Sequence, residues 1–223
     1  MGIDYTKKSP AAAVTDPADS PAKVMLTKAS PAVSLTKKES ESGILRVNLN
    51  WNAKSPEAGG LLKRLSSGAI DLDLGCLYEY SDGSKGAVQA LGNAFRDRHT
   101  FGGDPFVWLD GDDRSGSAVG GENLFVDLRA ADRIRRVIVF ALIYEGAPNW
   151  AAANGVVTVM PASGRTFEVR LDEGDPRARM CAIVLLENVG GAIQVSRQMR
   201  YVSGHSDLDN AYGWGIRWVA GRK

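Results

Sequence analysis

The 223-residue chain is short of cysteine, histidine, net charge and helix-length apolar patterns, and each shortage excludes something. Two cysteines, Cys76 and Cys181, both inside apolar runs, cannot make the disulfide framework of a small secreted scaffold; they read as buried thiols. Two histidines, His99 and His205, are too few for a histidine-rich zinc site. Lys plus Arg total 27 against 26 Asp plus Glu, a formal net charge of +1, which leaves no electrostatic footprint for nucleic acid or an anionic membrane. The longest apolar run, around Val137–Tyr144, is strand-sized and falls well short of the roughly 20 residues that span a bilayer. The N-terminus lacks the apolar core of a signal peptide, and Met1-Gly2 with Thr6 fits the myristoylation pattern only loosely. A cytoplasmic location is therefore expected. Neither a P-loop nor a G-x-G-x-x-G fingerprint is present.

What remains is an ordinary globular composition, 44% hydrophobic and 24% charged, with 25 glycines that favour turns. Residues 1–40 differ: Pro10, Pro17, Pro21 and Pro31 interrupt Ala, Ser, Lys and Asp, so most of this segment reads as a disordered tail or linker. Two β-prone pieces, Lys23–Thr27 and Ala32–Thr36, are the exceptions and could add edge strands. From residue 41 onward the signals are those of strands. Candidates are Ile44–Leu49, Ile70–Tyr80, Ala87–Leu91, Phe106–Leu109, Leu124–Leu128, Val137–Tyr144, Val156–Met160, Thr166–Leu171, Cys181–Asn188 and Ile193–Val202. Gly60–Leu65 reads as a turn of helix and Asp207–Tyr212 as a short C-terminal helix. About ten short strands without intervening helices predict an all-β sandwich of two mostly antiparallel sheets.

Two acidic segments carry the chemistry. In Asp71-Leu72-Asp73-Leu74-Gly75-Cys76-Leu77-Tyr78 a strand would turn Leu72, Leu74, Cys76 and Tyr78 to the core. Asp71 and Asp73 would then share the other face, roughly 6.6 Å apart. Alone, they read as two solvated carboxylates. The second segment, Asp110 to Asn123, lies between strand candidates and is predicted to be a loop. Counted against the EF-hand template with Gly111 first, Asp113, Ser115, Gly116 and Glu122 fall at positions three, five, six and twelve. The first position lacks its Asp and the flanks are strands, so it is no EF-hand. A Ca²⁺ loop of another kind, helped by Asp71 and Asp73, and an acidic solvated hairpin both fit these residues.

Other chemistry is poorly supported. Ser203, His205 and Asp207 crowd into one short stretch, whereas hydrolase triads converge from distant segments. The Asp132–Arg136 cluster reads as a solvated strand entry. Trp51, Trp108, Trp150, Trp214 and Trp218 read as packing or rim residues.

Several stretches resemble the TerD-domain family of tellurium-resistance and stress proteins, with the nearest likeness to its TerA-type members. They are Ile70–Asn93 (IDLDLGCLYEYSDGSKGAVQALGN), Leu109–Leu128 with its DGDDRSG and GENL elements, Val139–Val157, Phe167–Glu173, Cys181–Val189 and Ser203–Gly221, and Val33–Lys37 is similar to the family's first strand. The resemblance implies a two-sheet sandwich with Ca²⁺ bound at one end and no catalytic activity. It places the family's Asp-x-Asp on Asp71 and Asp73, and its Gly-Asp-Asn on Gly111-Asp112-Asp113. Where relatives have a more acidic second half of the loop, this chain has Gly120-Gly121-Glu122-Asn123, so one Ca²⁺ site is expected. Glu145 is a weaker ligand candidate.

The expected function is thus a non-enzymatic calcium-binding protein of a bacterial tellurite and chemical-stress system. Its metal ligands are expected among Asp71, Asp73, Asp110, Asp112, Asp113, Ser115 and Glu122. Its expected partners are other tellurium-resistance or stress-system proteins, with any membrane association only peripheral and through them. The alternatives are a glycan- or nucleotide-binding module, an enzyme using Asp110 and Glu122 as acid and base, and a structural subunit that pairs by strand addition.

Overall fold

Residues Ile44–Asn50 set the pattern of the whole molecule: Leu45, Val47 and Leu49 are fully buried and their neighbours are more exposed, as a strand with one face on a core requires. The computed structural model describes residues 43–51, 70–100, 103–111, 120–162 and 166–218, together with the backbone of Lys23–Met25 and Ala32–Ser34.

Twelve strands are described. They are β1 (Lys23–Met25), β2 (Ala32–Ser34), β3 (Ile44–Asn50), β4 (Asp71–Tyr80), β5 (Lys85–Gln89), β6 (Val107–Leu109), β7 (Glu122–Asp127), β8 (Ile134–Glu145), β9 (Val156–Met160), β10 (Thr166–Arg170), β11 (Met180–Val189) and β12 (Ala192–Val202). One sheet runs β1-β10-β9-β3-β7-β6 and the other β2-β12-β11-β8-β4-β5. Every pairing is antiparallel except that of β1 with β10. This is the β-sandwich the sequence predicts. A four-residue helix, α1 (Trp150–Ala153), follows β8, capped by the Asn149 carboxamide accepting from the Ala152 N–H. An eight-residue helix, α2 (His205–Tyr212), follows β12, starting two residues before the sequence places it.

The main core lies between the sheets and takes in Leu72, Leu74, Cys76 and Tyr78 of β4, as the alternation predicts. A second, smaller cluster lies on the far side of the second sheet. There Leu77, Ile138, Phe140, Met180 and Ala182 are covered by Leu208 of α2 and Trp214. Asp209 holds this cover in place. Its carboxylate accepts the backbone N–H groups of Gly215 and Ile216 and the Trp218 indole N–H, at 2.6–2.9 Å. Strand β4 is consequently buried on both faces along its whole length. Gly75 permits part of this packing, since a Cβ there would come within 2.7 Å of the Phe140 ring.

The sequence reading errs at several boundaries. β5 begins at Lys85, two residues before its predicted start, because Lys85-Gly86 carry no apolar signal at a sheet edge. Glu122 and Asn123 belong to strand β7 and not to the loop. α1 had no counterpart in the sequence reading. The predicted turn at Gly60–Leu65, and most of the expected tail, lie outside the described residues.

Candidate metal centre

β5 leaves β4 early: its last residue, Gln89, is opposite Gly75, so Asp71–Leu74 run on past it with one side of the backbone open. Glu122, the first residue of β7 in the other sheet, fills that place. Its Oε2 accepts the Leu74 N–H at 2.7 Å, so the carboxylate ties the two sheets together. Glu122 reaches this point because Gly120 and Gly121, with φ of 117° and 65°, turn the chain tightly into β7. A Cβ at Gly121 would lie 2.1 Å from the Leu49 carbonyl oxygen, so only glycine fits there. The Gly120-Gly121 pair therefore has a structural role of its own.

Asp71 and Asp73 flank this contact. Each is 2% exposed, as is Glu122. Strand alternation puts both aspartates on the face of Leu77, as predicted, but that face is covered, so neither is a solvated carboxylate. Three acidic groups are thus buried within one short stretch at one end of the sandwich. Carboxylate oxygens are hard donors, the type that Ca²⁺ and Mg²⁺ select.

The other candidates are placed differently. Asp110 follows Leu109, which faces the core, so it projects from the outer side of its sheet, away from Glu122. Its carboxylate accepts the Asn123 N–H at 3.1 Å and the Asn123 side-chain NH₂ at 2.6 Å. Asn123 in turn accepts from Arg46 Nε at 2.7 Å and Asn48 Nδ2 at 2.9 Å, which completes a polar network on that face. Glu145 is opposite Asp71 in register and exposed. Asp112, Asp113 and Ser115 lie outside the described residues. Among the described residues, no three His, Cys, Asp or Glu side chains converge as a metal-holding group. The donor chemistry fits a hard cation, while the described side chains alone do not close a cage around one.

The remaining sequence candidates resolve into structural roles. Ser203 donates to Asp207, but His205 Nε2 pairs with Gln89 Oε1 at 2.7 Å and stands against Phe140 and Trp218, so the three do not form a triad. Burial holds the His205 pKa below its ordinary value. Cys76 and Cys181 are free and buried, and burial pushes both thiols far above the usual range. The arginine cluster is not simply a solvated strand entry. Arg135 and Arg136 each donate to the buried Glu79 carboxylate at 2.6 Å. Arg136 also donates to the Tyr212 and Gly213 carbonyls that end α2, and lies 3.9 Å from the Trp214 ring centroid. Trp51, Trp150 and Trp214 are core residues with their indole N–H groups donating to the Ile70, Ala178 and Tyr78 carbonyls.

Sequence reasoning missed Glu79, Asp97 and Asp209. Asp97 accepts from the backbone N–H groups of His99, Thr100, Phe106 and Val107 and so shapes the β5–β6 connection. No short-range signal marked any of the three: the arginines that meet Glu79, for example, lie 56 and 57 positions along the chain.

Fold and site together define a two-sheet antiparallel β-sandwich with buried carboxylates at one end. No family model matches the chain. It is 46% identical over 203 residues to the tellurium resistance protein TerA of an Alcaligenes species, an alignment covering 90% of this chain. That identity over most of the chain supports its assignment to the Ter-type tellurium-resistance family. It spans 58% of that relative's length. Among the described residues no helix is long and apolar enough to cross a membrane.

Proposed function

We propose that this chain is a non-catalytic Ca²⁺-binding protein of the cytoplasm that acts in tellurite and chemical-stress resistance alongside other proteins of that system. The name of its relative supports the biological setting. The observation that carries the cation is the burial of Asp71 and Asp73 on β4 and of Glu122 at the start of β7, each 2% exposed, with Glu122 bonded to the Leu74 N–H between the two aspartates and the rest of β4. Burying several negative charges together is costly, and a divalent cation offsets that cost. The Asp71 and Asp73 pair would hold the ion, with Asp112, Asp113 and Ser115 as further oxygen donors from the loop, while Glu122 ties the start of β7 to β4 beside them. When bound, the ion supplies positive charge that fixes the loop against β4. The order of the loop then follows Ca²⁺ occupancy and alters the surface a partner meets.

Handling of tellurite by the protein's own thiols is disfavoured, because reduction needs exposed thiolates and both cysteines are buried with raised pKa values. The reading is tested by calorimetric titration of chelator-stripped protein with Ca²⁺ and then Mg²⁺. Saturable Ca²⁺ binding, selective over Mg²⁺ and lost in Asp71→Asn/Asp73→Asn, supports it; no heat in the wild-type protein removes it.

A small-molecule module is the second reading, favoured by the stacked rings of Trp108 and Phe125, 5.2 Å apart with 16° between planes, on the outer face of the β3-β7-β6 sheet. Glycan and nucleotide screens with a Trp108→Ala control test it.

A further inference from the structure

The two long flanks of the sandwich are closed in different ways. On one flank β5 and β6 end their sheets, and the chain between them stitches the flank shut. Gln89 bridges to Ala94, Arg96 bridges to Trp108, and Asp97 pins the loop through backbone N–H groups. On the other flank the sheets end in β1 and β2, which lie outside β10 and β12. The edges of β10 and β12 are met by a segment from far away in the chain. β1 lies along β10 in parallel, with Lys23, Val24 and Met25 opposite Thr166, Phe167 and Glu168. β2 lies antiparallel along β12, with Ala32, Val33 and Ser34 opposite Ser196, Val195 and Gln194.

Lys23–Met25 and Ala32–Ser34, together the arm, thus put one three-residue strand on each sheet. Each ladder is short, and the one on β10 is of the parallel kind, which is slightly weaker per residue. The arm joins the sandwich only through the stretch from Ser34 to Ile44, ten residue steps, a contour length of roughly 33–36 Å. A vacated flank would present two rows of backbone N–H and C=O groups, the usual template for pairing with another chain.

We propose that the β10–β12 flank is a strand-acceptor surface, and that the external strand it takes is residues 23–34 of a second copy of this chain, giving a reciprocal arm-exchanged dimer. The occupant follows from the register. The arm already fits both edges within one molecule, so the same segment from a second copy restores every ladder bond that the first gives up. Exchange therefore costs no hydrogen bonds, and protein concentration and the span of residues 35–43 set the balance between closed and exchanged forms.

The test uses the full chain. Ser34 and Gln194 are antiparallel register partners, at a Cα separation that suits a disulfide. One preparation carries Ser34→Cys and the other Gln194→Cys, so neither can cross-link within itself through this pair. The native thiols Cys76 and Cys181 are buried. After mixing and mild oxidation, a heterodisulfide at several times the yield of a control pairing Ser34→Cys with Val189→Cys, at a position 59% exposed, is the expected result. The double variant Ser34→Cys/Gln194→Cys should oxidise within one chain when dilute and between chains when concentrated. A heterodisulfide yield no higher than the control, with the double variant closing only on itself at every concentration, overturns the proposal. So does a double variant that forms neither bond, since the ladder itself would then be absent.

Discussion

At the Tyr80 end of β4, Glu79 is buried between two guanidinium groups at 2.6 Å, and one of them, that of Arg136, goes on to hold the end of α2. At the Asp71 end the same strand buries Asp71 and Asp73, and the neighbouring sheet adds Glu122, whose bond there is to the peptide N–H of Leu74. One strand thus carries acid into the protein twice. At one end protein cations meet it and the result is a fixed clamp; at the other the carboxylates gather, and we read them as meeting a cation from solution. The lesson is that burial of an acidic side chain has no single meaning, and its neighbours decide between scaffold and site.

Four changes break or sharpen that contrast. The largest effect is expected from Gly121→Ala, which forces a positive φ on a side chain and sets its Cβ against the Leu49 carbonyl. It should cost about 3–4 kcal/mol by chemical denaturation and abolish the Ca²⁺ response, because Glu122 loses its approach to β4. Next, Glu79→Gln should cost about 2–3 kcal/mol, equally with and without Ca²⁺, since it removes the counter-charge of partly buried Arg136 while Arg135 is largely solvated.

Asp73→Asn should depend on the buffer. In Ca²⁺ it should lower stability relative to wild type, and the difference should be smaller in chelator, where the cation contributes nothing. Comparison of melting curves in the two buffers checks this. The smallest effect is expected at His205. Its folded pKa is depressed by burial, so the unfolded chain binds the proton first. Stability is then full above the unfolded value of about 6.5 and declines as pH falls from there through the folded pKa. The decline should be shallower in His205→Gln, measured by urea denaturation at a series of pH values.

Most of the architecture was legible in the sequence, because strands such as Ile44–Asn50 and Thr166–Arg170 alternate cleanly and short Gly- or Asp-rich turns separate many of the strands. The site was legible as residue types but not as environment. Asp71 and Asp73 alternate with apolar residues, a pattern that ordinarily marks a half-exposed strand. Here that face is buried too: Asp71 and Asp73 are both almost fully buried, and at Leu77 the face is covered by α2 and Trp214, a cover held by Asp209 more than 130 positions away. Glu122 follows two glycines and so reads as loop, although those glycines exist to bring a strand close to Leu49. The Arg135–Arg136 clamp was hidden for the same reason: its partner, Glu79, lies 56 and 57 positions away.

The most direct test of the contrast between the two ends is the dependence of unfolding free energy on free Ca²⁺ in three proteins: wild type, Glu79→Gln and Asp71→Asn/Asp73→Asn. For a cation site at the Asp71 end, stability in the first two should climb by about 1.4 kcal/mol for each tenfold rise in Ca²⁺ above the dissociation constant, while the third stays flat. A flat line in wild type, or an equal slope in the double variant, would contradict the account.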